Sequence, residues 1–260
     1  LAALLVGRAS MAQTYEWVKN YQDANTTNAY IRAISEQPNG DIIVAGTFEQ
    51  LIFGGTTYTS SNGASGFIAS YSESGAEQWF QVIYNMEDNG VNLIAMDIDG
   101  AGNIYLLINA TSASYNGNTL IFEDYGDVLF KTDPNGNFLW LRSDYVESVY
   151  QDQDSHANIL VSDMCVTPDG TSYLSATIGD LFQFGSDVRI ENADSWDDII
   201  LVSHHPDGTV NWVKQGAAET TVGISELAFD DDKLYLSGTY EVEYDQVNEV
   251  LNFGAFANAL

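Results

Sequence analysis

Asp127-Val-Leu-Phe-Lys-Thr-Asp-Pro-Asn-Gly-Asn-Phe-Leu-Trp140 reads as an apolar strand, a Pro-Asn-Gly turn, and a second strand with a Trp four residues after the Gly. The Gly136/Trp140 step recurs as Gly75/Trp79 and Gly208/Trp212. Each copy closes a stretch of one layout: apolar strand, Gly turn, apolar strand, Gly/aromatic loop, third strand, then the Gly-Trp step. The period of about 60 to 70 residues is the mark of a repeat architecture built from one supersecondary unit.

The pattern predicts strands at 29–35, 41–48, 66–71 and 77–83 in the first repeat. In the second they fall at 91–98, 104–108, 127–132 and 138–142, and in the third at 159–167, 172–176, 198–203 and 210–214. A fourth repeat offers 224–229 and 234–240 before an acidic loop that ends at Phe253-Gly254. Asn39-Gly40 between two apolar runs is the strongest short hairpin signal in the chain. Runs such as Ile42-Ile-Val-Ala45 and Ile199-Ile-Leu-Val202 are apolar on consecutive residues, which suits sheets covered on both faces. Four-stranded sheets packed face to face around an axis satisfy that demand. The expectation is an all-β fold, a β-propeller seen as an incomplete arc: blades at about 26–85, 90–150 and 155–216, and a truncated fourth at 220–260. Segment 15–20, with Trp17, reads as a lone N-terminal strand that closes the last blade.

Gly46-Thr-Phe48 with Phe53-Gly54, Gly102-Asn-Ile-Tyr105, Asp127-Val-Leu-Phe-Lys131, and Asp133-Pro-Asn-Gly136 with Trp140 together resemble the bacterial seven-bladed propeller repeat known as the SBBP repeat. The resemblance covers residues 15–254. It implies a secreted or cell-surface bacterial protein, and in one bacterial group a C-terminal sorting domain for type IX secretion. The family's motif residues are structural, so it implies no catalytic residue. Asn109 is read as standing where the first and fourth repeats have Gly46 and Gly238.

Composition narrows the function classes. Eight Lys+Arg against 37 Asp+Glu give a net charge of −29, a field that repels nucleic-acid phosphates and anionic lipids. At 45% hydrophobic and 12% aromatic the chain can fill a core despite that charge. Residues 1–12, an apolar run followed by Arg8-Ala-Ser-Met-Ala12, read as the remnant of a secretory signal peptide cleaved before Gln13, which leaves 13–260 as the repeat region. No stretch reaches the length of a membrane span. Cys165, the one cysteine, reads as a small buried hydrophobe.

Chemistry-bearing motifs are few. Asp97-Ile-Asp99-Gly100 resembles the opening of a calcium loop, but the bidentate Glu that such a loop needs at its far end is missing. Asp97 and Asp99 are therefore candidate calcium ligands beside the alternative of an ordinary hairpin turn, and no other cofactor is expected. His204-His205 are adjacent in a strand, point to opposite faces and cannot chelate one ion, so a surface hairpin end is expected there. Thr132-Asp133-Pro-Asn-Gly136 approaches the Asp-box of sialidases with the Trp one residue late. The Gly-x-x-x-Trp step matches that of quinoprotein dehydrogenases without the preceding Thr. Neither a nucleophile elbow nor a phosphate loop is found. The expected role is a structural or ligand-binding module for a carbohydrate or protein, with Tyr115-Asn-Gly117 as a sugar-stacking loop. The alternative is an accessory or catalytic propeller of an extracellular enzyme.

Overall fold

The computed structural model describes residues 28–87, 90–142, 159–178, 182–184, 188–190, 198–216 and 222–240. The expected leader, the 15–20 strand and the 241–254 loop lie outside the described residues. Among those residues the chain is all-β, with eighteen strands and no helix. A first antiparallel meander joins β1 (Tyr30–Glu36), β2 (Ile42–Phe48), β5 (Ser65–Tyr71) and β6 (Glu77–Asn85), with a separate hairpin of β3 (Gln50–Phe53) and β4 (Thr56–Thr59) between β2 and β5. The second runs β7 (Asn92–Ile98), β8 (Ile104–Tyr115), β9 (Asn118–Thr132), β10 (Phe138–Arg142). The third joins β11 (Ile159–Val166), β12 (Ser172–Ile178), β15 (Asp198–His204) and β16 (Val210–Gly216), with the hairpin β13 (Phe182–Phe184) and β14 (Val188–Ile190) set apart. The two-stranded sheet of β17 (Val222–Asp230) and β18 (Lys233–Tyr240) follows.

The segments expected as Gly/aromatic loops are hairpins. Gly54 and Gly55 both take positive φ (58° and 76°), as do Asn116 and Gly117 (49° and 78°), the conformation a tight two-residue connection requires. In the second meander the hairpin is not separate: β8 and β9 run on through an irregularity at Ala110/Ser112 and pair again from Ser112↔Ile121 to Tyr115↔Asn118. That extension also hydrogen-bonds to β6 at Ile83↔Tyr115 and Asn85↔Ala113, so the first two meanders form one continuous sheet.

The Pro-x-Gly turns share one geometry. In each the Gly N–H donates back three residues, as from Gly40 to Gln37 O at 2.9 Å and from Gly208 to His205 O at 2.8 Å. Proline sets φ at the second turn position and the left-handed Gly completes the bend. The turn at Asp99 carries Gly100 instead of Pro for a specific reason. The Gly100 N–H donates to Pro168 O at 2.9 Å, and a Cβ there would stand 2.6 Å from the same oxygen.

Both faces of the inner strands are buried, on alternate residues. Ile43, Ala45 and Ile68 of the first meander meet Ile104, Leu106, Ile108 and Phe130 of the second in one apolar cluster. On the other face Tyr105, Leu107 and Leu129 meet Leu174, Ala176, Ile200 and Val202 of the third. Tyr173, Cys165 and Leu201 then meet Ile224 and Leu227 of β17. Each buried aliphatic side chain is worth about 1.5–3 kcal/mol, so these interfaces dominate the stability of the stack. The first strands stand side by side in chain order, β1 beside β7, β7 beside β11 and β11 beside β17.

The register corrects one equivalence. Gly46 pairs with Ile31 and Gly238 with Ile224, each just before the irregularity of the first strand pair. Ile108 holds that place opposite Leu93, and Ala176 holds it opposite Val161. Asn109 lies one residue further on. Glycine is required where the backbones crowd: a Cβ on Gly46 would meet Tyr30 O at 2.0 Å, and one on Gly238 would meet Gly223 O at 2.2 Å. Apolar runs on a both-face-buried strand carry no alternation to fix the register, which is how the slip arises.

Candidate functional site

The C-terminal ends of the four first strands, with the turns that follow them, converge on one depression of about 490 Å³. Glu36, Pro38, Ile98, Val166, Phe229 and Asp230 contribute to its wall. Its rim is acidic, since Glu36, Asp230 and Asp231 all stand exposed. Asp231 and Asp232 hold positive φ (47° and 59°) in the two-residue β17–β18 turn, and Lys233 lies 3.7 Å from Asp231 in an exposed pair worth little.

Beneath the rim lies a buried polar cluster at the junction of the second and third meanders. Lys131 and Asp99 are 8% and 4% exposed, with Nζ 3.2 Å from Oδ2. Nζ also donates to the Tyr105 hydroxyl and lies 3.5 Å from Pro206 O. The Tyr105 hydroxyl donates to Gly170 O at 2.9 Å. Asp99 Oδ1 accepts from the backbone N–H groups of Ala101 (3.0 Å) and Asn103 (2.9 Å), and Oδ2 accepts from the Asn103 amide at 2.8 Å. Burial pushes the Asp99 carboxyl up, but the Asn103 donors and the Lys131 ammonium outweigh it and hold it below the ordinary carboxylate range. Burial, with Asp99 beside it, raises the Tyr105 phenol well above its usual value.

Other carboxylates bridge neighbouring first strands. Asp97 Oδ2 accepts the Val166 N–H of β11 at 2.6 Å, and Asp163 Oδ2 accepts the Leu227 N–H of β17 at 2.7 Å. A first strand has no ladder partner on its inner side, so a side-chain acceptor from the preceding meander satisfies a backbone donor that burial would otherwise strand. Burial raises both carboxyls above their ordinary values, and that of Asp127 likewise.

The Gly-Trp step joins successive meanders. A Cβ on Gly136 would lie 2.9 Å from Cζ3 of Trp79, and one on Gly208 the same distance from Cζ3 of Trp140. The Trp140 indole also donates to Pro206 O at 3.2 Å, and Arg142 reaches Asp207 O at 2.8 Å. Trp212 lies against Tyr173 of its own meander, with ring centroids 5.9 Å apart. Each seated Trp therefore belongs to one meander and its Gly to the next.

The remaining candidates fall in structural roles. Asp97 and Asp99 have their oxygens taken by protein donors, and the cation at Asp99 is Lys131. Tyr115 is fully buried with its hydroxyl donating to Gly136 O at 2.6 Å, and the Asn116 amide donates to the same oxygen at 2.9 Å. That loop has no ring free to stack on a sugar, which overturns the expectation placed on it. His205 is exposed in its turn, but His204 is 1% exposed and so is not a surface residue; burial, with Arg142 adding, lowers its pKa to about 4. Cys165 is buried, and burial with Asp97 and Asp163 pushes its thiol up to about 12, far from a nucleophile's range. No group of three or more His, Cys, Asp or Glu among the described residues could hold a metal ion.

Sequence reasoning missed Lys131, Tyr105 and Gln37. The first left a trace: a lysine inside the apolar strand Val128-Leu-Phe-Lys131 needs a buried partner. The chain matches no protein-family model and no curated protein sequence.

Proposed function

We propose that the chain is an arc of a β-propeller, three four-stranded blades and the first hairpin of a fourth, that serves outside the cell as a binding or scaffolding module. The observation that carries this reading is the burial of both faces of successive meanders around neighbouring first strands. Such stacking makes a rigid platform and leaves turns and hairpins free to vary. The resemblance to the SBBP repeat and the signal-peptide character of residues 1–12 support export.

The partner is a protein with a basic surface. The exposed carboxylates Glu36, Asp230 and Asp231 around the axial depression, on a chain of net charge −29, steer cations in and keep anions out. The buried Tyr115 removes the main support for a sugar ligand. Biolayer interferometry of the immobilised chain against an oligolysine peptide and neutral oligosaccharides, at physiological salt, tests this. Saturable oligolysine binding that weakens at least tenfold in E36Q/D230N/D231N supports the reading. Equal binding by the variant, or binding of oligosaccharide alone, contradicts it. Export is checked separately by N-terminal sequencing of the mature protein, expected to begin at Gln13.

A further inference from the structure

The first strands repeat one pattern of contact from meander to meander. Just before its irregularity each carries an apolar residue, Ile31, Leu93, Val161 or Ile224, and the second residue paired after it is Ile34, Met96, Met164 or Leu227. One position further on, each first strand pairs with a large side chain of the second strand: Ile43, Tyr105, Tyr173 or Tyr235. At each junction among the described residues, that large side chain shares an apolar cluster with the two first-strand residues of the next meander. Ile43 is grouped with Leu93 and Met96, Tyr105 with Val161 and Met164, and Tyr173 with Ile224 and Leu227. The series leaves half of this contact over at each end of the described stack: Tyr235 is 50% exposed, and Ile31 and Ile34 are 54% and 67% exposed. The polar part is left over in the same way. Asp163, the first residue paired after the irregularity of β11, accepts the Leu227 N–H at 2.7 Å, and Glu226 holds the same place in β17 and is exposed.

We infer that the two ends of the stack are complementary halves of one interface, and that a second copy of this chain seats its β17–β18 hairpin against β1. In that contact Tyr235 of one copy packs on Ile31 and Ile34 of the other. The Glu226 carboxylate accepts the Ile34 N–H, as Asp163 accepts that of Leu227. Continuity with the junctions inside the chain selects the occupant. What Ile31 and Ile34 lack is the ring and the carboxylate that each stand at a fixed register on the neighbouring hairpin, and β17–β18 carries both at that register. Exposed apolar groups of this kind mark interaction surfaces, and because the two halves differ the contact runs head to tail. The inference rests on clusters and register and not on the acidic depression, so it stands or falls apart from the reading of a basic partner.

Sedimentation velocity of the full chain tests this at high salt, which screens the repulsion between copies of net charge −29. Association that rises with concentration is expected. Ile34→Lys and Tyr235→Lys each place a charge in one half of the contact, at exposed positions where folding is little affected. Each variant alone is expected to sediment as a monomer. An equimolar mixture is expected to regain a dimer, because the intact β17 half of I34K meets the intact β1 half of Y235K. Glu226→Ala, which leaves the apolar groups in place, is expected to weaken association about tenfold. A wild-type chain that is monomeric at every concentration overturns the inference, as does unchanged association of E226A. Association that survives Y235K also overturns it, by assigning β1 to a second β1, and so does a mixture of the lysine variants that stays monomeric while the wild type associates.

Discussion

The two junctions between complete meanders solve the same problem with different chemistry. At both, carbonyl oxygens in the turns of the following meander take donors from side chains of the meander before. Between the first and second meanders the neutral Gln37 amide supplies them, to Gly102 O at 2.9 Å and Pro134 O at 3.2 Å. Between the second and third, Tyr105 donates to Gly170 O and Trp140 to Pro206 O, while Lys131 is held among them by Asp99. The apolar clusters on either side are comparable in kind, so the geometry of the stack dictates that a donor be present and leaves its charge open. The charged junction is the more fragile to a single loss, because removing one partner strands a buried ion, whereas losing an amide strands only dipoles.

Breaking the charged junction gives the largest effect. Lys131→Met is expected to destabilise the chain by about 3–5 kcal/mol by urea unfolding, because Asp99 is left buried without its cation. Restoring neutrality with D99N in the same chain should recover part of that loss. Trp140→Ala removes the ring seated on Gly208 together with its bond to Pro206 O, and about 3 kcal/mol is expected.

The third effect is a pH dependence. His204 is held neutral in the fold with a pKa lowered to about 4, so an unfolded His204 takes up a proton as pH falls through about 6.5 while the folded one does not. Its contribution is fully present above that value and is lost progressively down to pH 4, about 2 kcal/mol between pH 7 and 5. Urea midpoints measured across that range should fall with acid, and H204Q should flatten the slope. Asp97, Asp127 and Asp163 act in the opposite sense, since carboxyls raised in the fold bind protons more readily there and add stability as pH falls toward 4. Smallest is Gln37→Ala, expected at about 1 kcal/mol because its donors serve two turn carbonyls and carry no charge. A Q37A loss equal to that of K131M would remove the distinction between the junctions.

Strand positions were legible because turns announce themselves. Pro38, Pro134, Pro168 and Pro206 are all four prolines of the chain, and each sits in a turn between the strands expected from it. The inserted hairpins were less legible, although Gly54-Gly55 and Asn116-Gly117 are turn pairs, because β3 and β4 are short and the paired stretch next to Asn116-Gly117 is a continuation of β8 and β9 past an irregularity. The register at Asn109 misled because both faces of β8 are buried and periodicity is lost. The polar cluster could not be assembled from sequence at all. Asp99, Tyr105 and Lys131 lie on a turn and two strands, and only the stacking against Gly170 and Pro206 makes them one group. The acidity of Asp97 and Asp99 suggested an external cation where the fold uses a backbone N–H and a lysine.

Donors carried from one meander to the turns of the next hold the stack together, and Lys131 and Asp99 act there as a unit. A double-mutant cycle of K131M, D99N and the double variant, followed by urea unfolding at pH 7, measures that coupling. A coupling of about 2 kcal/mol or more is expected, the double variant being clearly more stable than the sum of the single losses implies. Additive losses within about 0.5 kcal/mol would contradict it.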